Sequence, residues 1–441
     1  MTSEQKVFVW AFQPGDTIPM LCGRLRVNMT GTGQTVASFV YGKKYLENKL
    51  TTPLDPIRLP KRPAVFETTG QVAGEADIFG VIADSLPDSW GRYVINRRYG
   101  EQLFPSGYLL RATEDAAGNL CFSRAQDEPP LLNAPARREL LDDAWRVISN
   151  LESGKPVPIE LQDRVRPNTA LGGARPKLTV VDSHDQWLAK FPSGKDDGRY
   201  SQAKAEAAML DLATLCGIDA AQAQLQVLGG DSSQAGEVLL VRRFDRSLAP
   251  GGQGWLRDAF VSVRTIAQSE AGARAGQYMA SYTQVAEQLQ RWSTRPVQDR
   301  HELFRRLVFN CCISNTDDHD RNHGLIADVA GHLFRLSPAF DMVPRIHGTR
   351  VRRQAMAFGV SGSEATVENL ISAATAFSLS EREARAVIEA IQESVQANWL
   401  ECLLARGMTQ AEAQVLASCF QPLPPDADLR PAAVGLRAPR I

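Results

Sequence analysis

The stretch Asn315-Thr316-Asp317-Asp318-His319-Asp320-Arg321-Asn322-His323, followed by Leu336-Ser337-Pro338-Ala339-Phe340-Asp341, decides how the rest of this chain is read. Three acids, two histidines and two amides fall within nine residues. An Asp five positions before an Asn, with a further Asp beyond a short apolar run, is what phosphoryl transfer from ATP asks of a protein. One carboxylate faces the acceptor hydroxyl, while an amide and a second carboxylate hold Mg2+ against the nucleotide phosphates. Asp317 is therefore the expected base or aligner of the acceptor hydroxyl, and Asn322 and Asp341 are the expected metal ligands. Hard oxygen donors suit Mg2+, which keeps several waters and takes the rest of its shell from phosphates. His319 is expected to bond the γ-phosphate or to brace the loop.

A transition-metal hydrolase competes for the same residues, because His319, Asp320 and His323 are ligand types for such a centre. It would need further His or Asp from neighbouring elements. The chain has six His, and the other four (His184, His301, His332 and His347) form no matching motif. The hydrolase reading also leaves the upstream segments without a role.

Those segments come in kinase order. In Leu171-Gly172-Gly173-Ala174-Arg175-Pro176-Lys177, small residues let backbone N–H groups approach phosphate oxygens without a Cβ in the way. Alone this is ordinary turn chemistry, and it lacks the GxxxxGK[ST] pattern of a P-loop. A hairpin follows, with strands over 178–181 and 187–191 joined by a polar turn at 182–185. Lys190 sits near its end, where a kinase lysine grips the α- and β-phosphates. A strand lysine can equally snorkel to solvent. Glu206, on a helix expected over 200–215, is a candidate partner for it, with an i,i+4 surface role equally open. Val241-Arg242-Arg243-Phe244-Asp245-Arg246 then ends an apolar strand. As a hinge it would read the adenine edge through its backbone, with Phe244 covering the base; by itself it is a charged strand end.

Composition sets wider bounds. Forty-nine basic and fifty acidic residues in 441 leave a net charge of −1, so no broad electrostatic case for nucleic-acid binding exists. Seven scattered cysteines argue against a disulfide framework, and the adjacent Cys311 and Cys312 read as buried core thiols. No run of about 18 apolar residues is present to span a bilayer, and the start MTSEQKVFVWAF lacks a signal-peptide pattern. A cytoplasmic protein with no membrane partner is expected.

Along the chain, β-like runs at 7–12, 21–27 and 36–41 open the sequence, with Gly31-Thr32-Gly33 as a turn. A helix broken at Pro87 and restarted under an Asp or Ser cap is expected near 77–100, and an amphipathic helix over 137–150. The residues between, near 125–136, read as a surface linker. From about 255 to 420 the chain reads as mostly helical, ending in a Pro-rich tail.

Taken together, LGGARPK (171–177), WLAKFP (187–192), VRRFDR (241–246), NTDDHDRNHG (315–324) and LSPAFDMVP (336–344) resemble, in order and spacing, the HipA family of serine/threonine kinase toxins. FGVIADSLPDSWGR (79–92) is similar to that family's N-terminal signature, and the resemblance spans roughly residues 5–345. It implies an α+β, atypical two-lobed protein-kinase-like fold. A small β-rich domain would cover 1–130, an N-lobe-like region 131–248 and a mostly helical C-lobe 249–420, with an irregular tail at 421–441. It implies that Asp317 is the catalytic residue. It places ATP against Gly172, Gly173, Ala174, Arg175, Pro176, Lys177, Lys190, Arg242, Arg243, Phe244, His319, Asp320, Arg321, Asn322, Phe340 and Asp341, with Mg2+ on Asn322 and Asp341.

The family resemblance further implies a toxin paired with a HipB-like helix-turn-helix antitoxin, so that DNA is met only through the antitoxin. A protein would be the phosphate acceptor. The best-known target in the family is an aminoacyl-tRNA synthetase, glutamyl in particular, whose phosphorylation stops translation and growth. The chain departs from the family pattern in two places. Ala170 stands where members carry a self-phosphorylated serine, which leaves the adjacent Thr169 as the candidate for autophosphorylation. Arg242 stands where some members have an acid. The alternatives are a catalytically weak kinase-like module that binds an antitoxin, and a small-molecule kinase. Intact Lys190, Asp317, Asn322 and Asp341 speak against the former.

Overall fold

The structure, a computed structural model, describes residues 5–29, 35–68, 78–100, 103–112, 115–157, 175–229, 236–267, 279–328, 333–348 and 352–424. The expected turn at 31–33, the small residues Gly172, Gly173 and Ala174, Thr169 and most of the tail lie outside them.

The architecture is α+β. The N-terminal strands β1 (Gln5–Ala11), β2 (Met20–Met29), β3 (Thr35–Tyr41), β4 (Val65–Glu67) and β5 (Leu120–Ser123) form a five-stranded sheet in the order β4-β3-β2-β1-β5. Every pairing in it is antiparallel. Alternation explains the buried face: Val7, Val9 and Ala11 on β1, and Ala37 and Phe39 on β3, point into the core. Strand β5 arrives from far along the chain to flank β1, which short-range patterning does not signal.

A second five-stranded sheet, in the order β6-β7-β8-β10-β9, comprises β6 (Ala136–Arg137), β7 (Lys177–Val181), β8 (Gln186–Lys190), β9 (Ala223–Leu228) and β10 (Gly236–Arg242). The β7–β8 hairpin sets Lys177 directly opposite Lys190. Like charges opposite one another destabilise a sheet unless each is neutralised; both are, by different partners described below. The amphipathic helix begins at Leu141 rather than 137, because Ala136 and Arg137 pair in parallel with β7. Helix Gln202–Leu215 starts under Ser201, whose side chain accepts from Lys204 N.

The remainder is helical around helices Tyr282–Trp292, Pro296–Cys312 and Glu381–Ala405. It also holds a hairpin, β11 (Arg246–Leu248) with β12 (Trp255–Arg257), and a small sheet, β13 (Phe260–Ser262), β14 (Gly324–Ala327) and β15 (Phe334–Leu336). Among the described residues no helix is long and apolar enough to cross a membrane.

The cores do not stop at residue 130. One continuous cluster runs from Val9 and Phe39 through Phe79 and Ile82 to Ile266, Tyr282 and Phe309. Trp90 and Val94 of helix Ser89–Tyr99 belong instead to the core of the second sheet, with Ile148, Trp187 and Leu240. The N-terminal region is thus packed into both following regions.

Candidate active site

Two elements bring Lys190 to its partners. Strand β8 projects its ammonium toward helix Gln202–Leu215, where Glu206 lies 2.6 Å away. From 151 positions downstream, Asp341 meets the same ammonium at 2.8 Å. Glu206 is buried and Asp341 partly open to solvent. Burial alone would push the Asp341 carboxyl up, but the Lys190 ammonium overrides it and holds it at about 2. Burial would lower Lys190, but Asp341 and Glu206 outweigh it and raise the ammonium above its ordinary range. Asp341 has a φ of 59°, a left-handed backbone that Asp tolerates better than most residues. The Asn315 side-chain amide, 3.4 Å from the Asp341 carbonyl, braces it.

The nine-residue loop leaves helix Pro296–Cys312 through Ser314, which also has a positive φ of 58°. Its side chains divide by task. Asp317 is exposed, paired with Arg345, whose own N–H donates to the Ser314 carbonyl at 3.1 Å. Asn322 gives its Nδ2 to the Asp317 carbonyl at 3.3 Å, so that its oxygen is the atom that could ligate a cation. His319 holds a buried Nδ1 with no hydrogen-bond partner. Asp318 and His323 are brace residues: both are buried, His323 Nε2 lies 3.0 Å from the Asp318 carboxylate, and Tyr282 donates its hydroxyl to the same oxygen. Asp320 is buried, accepting from Ala280 N at 3.1 Å, while Arg321 is exposed. His323 is committed to Asp318, and among the described residues no group of three or more His, Cys, Asp or Glu is disposed to hold a metal ion.

Several residues expected at the nucleotide also have protein partners. Lys177 is buried, its ammonium 2.7 Å from Asp88, which also N-caps helix Ser89–Tyr99. Arg175 pairs with Asp196 at 2.7 Å, and the Pro176 carbonyl accepts from Phe191 N at 2.9 Å. Arg243 is buried in a network with Asp115 (2.8 Å) and Asp245 (2.9 Å), which Arg246 extends to the carbonyls of Ala116 and Gly118. Burial there pushes the Asp115 carboxyl up to about 6 despite Arg243. Gly118 closes the joint: its N–H donates to Asp245 at 2.8 Å, and at φ 74° a Cβ would stand 2.9 Å from the Phe260 nitrogen. Arg242 is exposed and paired with Asp185 at 2.6 Å. Phe244 packs against Phe340 and Phe260, with ring centroids at 5.7 and 6.1 Å. Arg345, Asp88 and Asp115 carry no sequence signal for these contacts, since each is made across a large separation.

A cavity of about 430 Å³ opens beside the Lys190–Glu206 pair, lined by Arg175, Tyr200, Lys204 and Glu237 among others. The donor set of Asn322, Asp341, Lys190 and His319 fits Mg2+ and a nucleotide: an amide oxygen and an ionised carboxylate as hard ligands, an ammonium for phosphate, and a buried His319 nitrogen with no partner among the described residues.

Compared with known proteins, residues 169–399 match the model of the HipA-like C-terminal domain family. Y4mE of Sinorhizobium fredii, described as a candidate kinase, is 24% identical over 351 residues, covering 74% of this chain and 76% of that protein. A candidate kinase of Haemophilus influenzae is 25% identical over 199 residues, covering 42% of this chain and 55% of that protein. Among solved structures, a chain of the Shewanella oneidensis toxin–antitoxin complex of HipA, HipB and operator DNA superimposes with a TM-score of 0.62. That likeness covers 93% of this chain and 95% of the other at 17% identity, and so speaks to the fold.

Proposed function

The chain belongs to the HipA-like kinase family, and from that premise we propose that it is an ATP- and Mg2+-dependent serine/threonine protein kinase, the toxin of a toxin–antitoxin pair. The observation that carries the proposal is the Lys190 ammonium bridging Glu206 and Asp341, beside the loop that presents Asp317 and Asn322.

In this reading Asn322 and Asp341 hold Mg2+, which when bound neutralises charge on the β- and γ-phosphates. Glu206 orients Lys190 so that its ammonium reaches phosphate oxygens. Asp317, at the open rim, accepts a hydrogen bond from the acceptor hydroxyl and aligns it with the γ-phosphorus; as the new phosphorus–oxygen bond forms, the bond to the β,γ-bridging oxygen breaks and ADP leaves, while the hydroxyl proton passes to that carboxylate or to the transferred phosphoryl group. Arg345 holds the Asp317 carboxylate until a hydroxyl takes its place. The segment Arg242–Phe244 offers backbone to adenine, with Phe244 and Phe340 as apolar cover. Positioning and charge neutralisation supply the rate enhancement.

The acceptor is a protein hydroxyl, with an aminoacyl-tRNA synthetase as the first target to examine. A HipB-like helix-turn-helix antitoxin is the proposed partner, with DNA reached through it; the fold shared with a HipA held in such a complex supports this. The decisive experiment follows labelled γ-phosphate from Mg·ATP into a cell lysate. Wild type is expected to label a protein, and Asp317→Ala to label it roughly 10²–10⁴-fold more slowly. Because Asp317 and Arg345 form an exposed pair, the variant should melt within about 1 kcal/mol of wild type. An Asp317→Ala protein that transfers phosphate at the wild-type rate would sink the assignment.

A further inference from the structure

The carboxylate of Asp84, in the N-terminal region, is saturated with donors from the C-lobe and lies within electrostatic reach of Arg321. Ser262 N donates to it at 2.8 Å, Ser262 Oγ at 2.6 Å and Thr265 Oγ1 at 3.0 Å. The short segment that supplies these donors is also the one that grips the catalytic loop. Val263 N donates to the His323 carbonyl and Arg264 N to the Asp320 carbonyl, both at 2.9 Å. Ser262 pairs with Gly324 at the start of β14, and the Arg264 guanidinium lies 3.9 Å from the Asp320 carboxylate. The two carbonyls held in this way flank Asn322. Contact between the regions is close: a Cβ on Gly80, one turn before Asp84, would stand 2.6 Å from Thr265 Oγ1.

We infer that Asp84 is a positioning residue for the metal-binding loop. By tying down residues 262–265 it fixes the backbone on both sides of Asn322, and with it the amide oxygen that faces Mg2+. The N-terminal region is then a support for catalysis, not an appended module. A carboxylate that only stapled two regions together would have no reason to fasten on the two ends, Ser262 and Thr265, of the four-residue segment that holds the loop. Outer-shell groups of this kind commonly govern metal affinity without touching the ion.

The inference rests on the phosphotransfer reading, and the test separates the two. In the full-length chain, binding of the fluorescent analogue trinitrophenyl-ATP is followed while Mg2+ is titrated, for wild type, Asp84→Asn, Thr265→Val and Asn322→Ala, with melting curves alongside. Asp84→Asn is expected to need roughly tenfold more Mg2+ to reach its midpoint, with affinity for the analogue in the absence of Mg2+ unchanged. Thr265→Val, which removes one of the donors and keeps the side chain's shape, should shift the midpoint in the same direction by less. A folded Asp84→Asn protein with the wild-type Mg2+ midpoint overturns the inference and leaves the kinase reading standing. If wild-type binding ignores Mg2+, or Asn322→Ala leaves the midpoint in place, the kinase reading itself falls and takes the inference with it. Should Asp84→Asn not fold, Thr265→Val decides, and an unmoved midpoint there overturns the proposal.

Discussion

The hinge joint around Arg243 and the cleft around Lys190 are built from the same kinds of residue and finish in opposite states. At the joint, Arg243, Arg246, Asp245 and Asp115 are all buried, and their donors are met by carboxylates and carbonyls brought in from residues 115–118. In the cleft, Glu206 is buried and Lys190 nearly so, but Asp341 and Asp317 keep 40% and 54% of their side-chain surface open. A cation closed on every side is holding chains together. A cation with a carboxylate left open toward solvent is poised for something that arrives from outside. Motif position alone did not separate the two, since Arg243 and Lys190 each lie in a segment expected at the nucleotide.

The contrast can be broken most forcefully at Arg243. Replacing it by Ala leaves Asp115 buried without its paired cation and Asp245 with Arg246 alone, and should cost about 3–5 kcal/mol in denaturant unfolding. A loss near zero would mean that the joint is not the closed structure described here.

A subtler test uses pH, because the two regions predict opposite signs. Asp341 is held at about 2, below the ordinary 3.8, so its stabilisation is complete above 3.8 and disappears as pH falls toward 2. Asp115 is pushed up to about 6, so its charged form burdens the fold, and stability falls as pH rises from 3.8 through 6. Unfolding free energies of wild type, Asp341→Asn and Asp115→Asn across this range should show each variant flattening its own window. Flattening of the same window by both would remove the distinction.

The smallest effect is expected at Arg242, whose pair with Asp185 is exposed. Arg242→Ala should change stability by less than about 1 kcal/mol. A larger loss would place it with its buried neighbour.

Much of this was legible without coordinates. The hairpin expected over 178–181 and 187–191 falls at Lys177–Val181 and Gln186–Lys190, and Cys311 and Cys312 are buried as expected of small thiols in an apolar helix. Helix Ser89–Tyr99 starts under an Asp cap after Pro87, as the local sequence indicates. The helix expected from 137 begins at Leu141 because a parallel pairing with β7, invisible to local pattern, claims the residues before it. Glu206 is readable as a partner of Lys190 only as one option among helix-surface roles; burial of the helix face decides it.

The sequence by itself determined the family, the fold class and the identity of the groups proposed for phosphoryl transfer. These depend on residue types and short spacings, which local chemistry constrains. Only the tertiary structure decided which charges are available. That the Lys177 ammonium meets Asp88, and the Arg243 guanidinium Asp115, depends on segments about 90 to 130 positions away. Contacts at such range are set by how sheets and helices pack, and packing is a property of the whole chain.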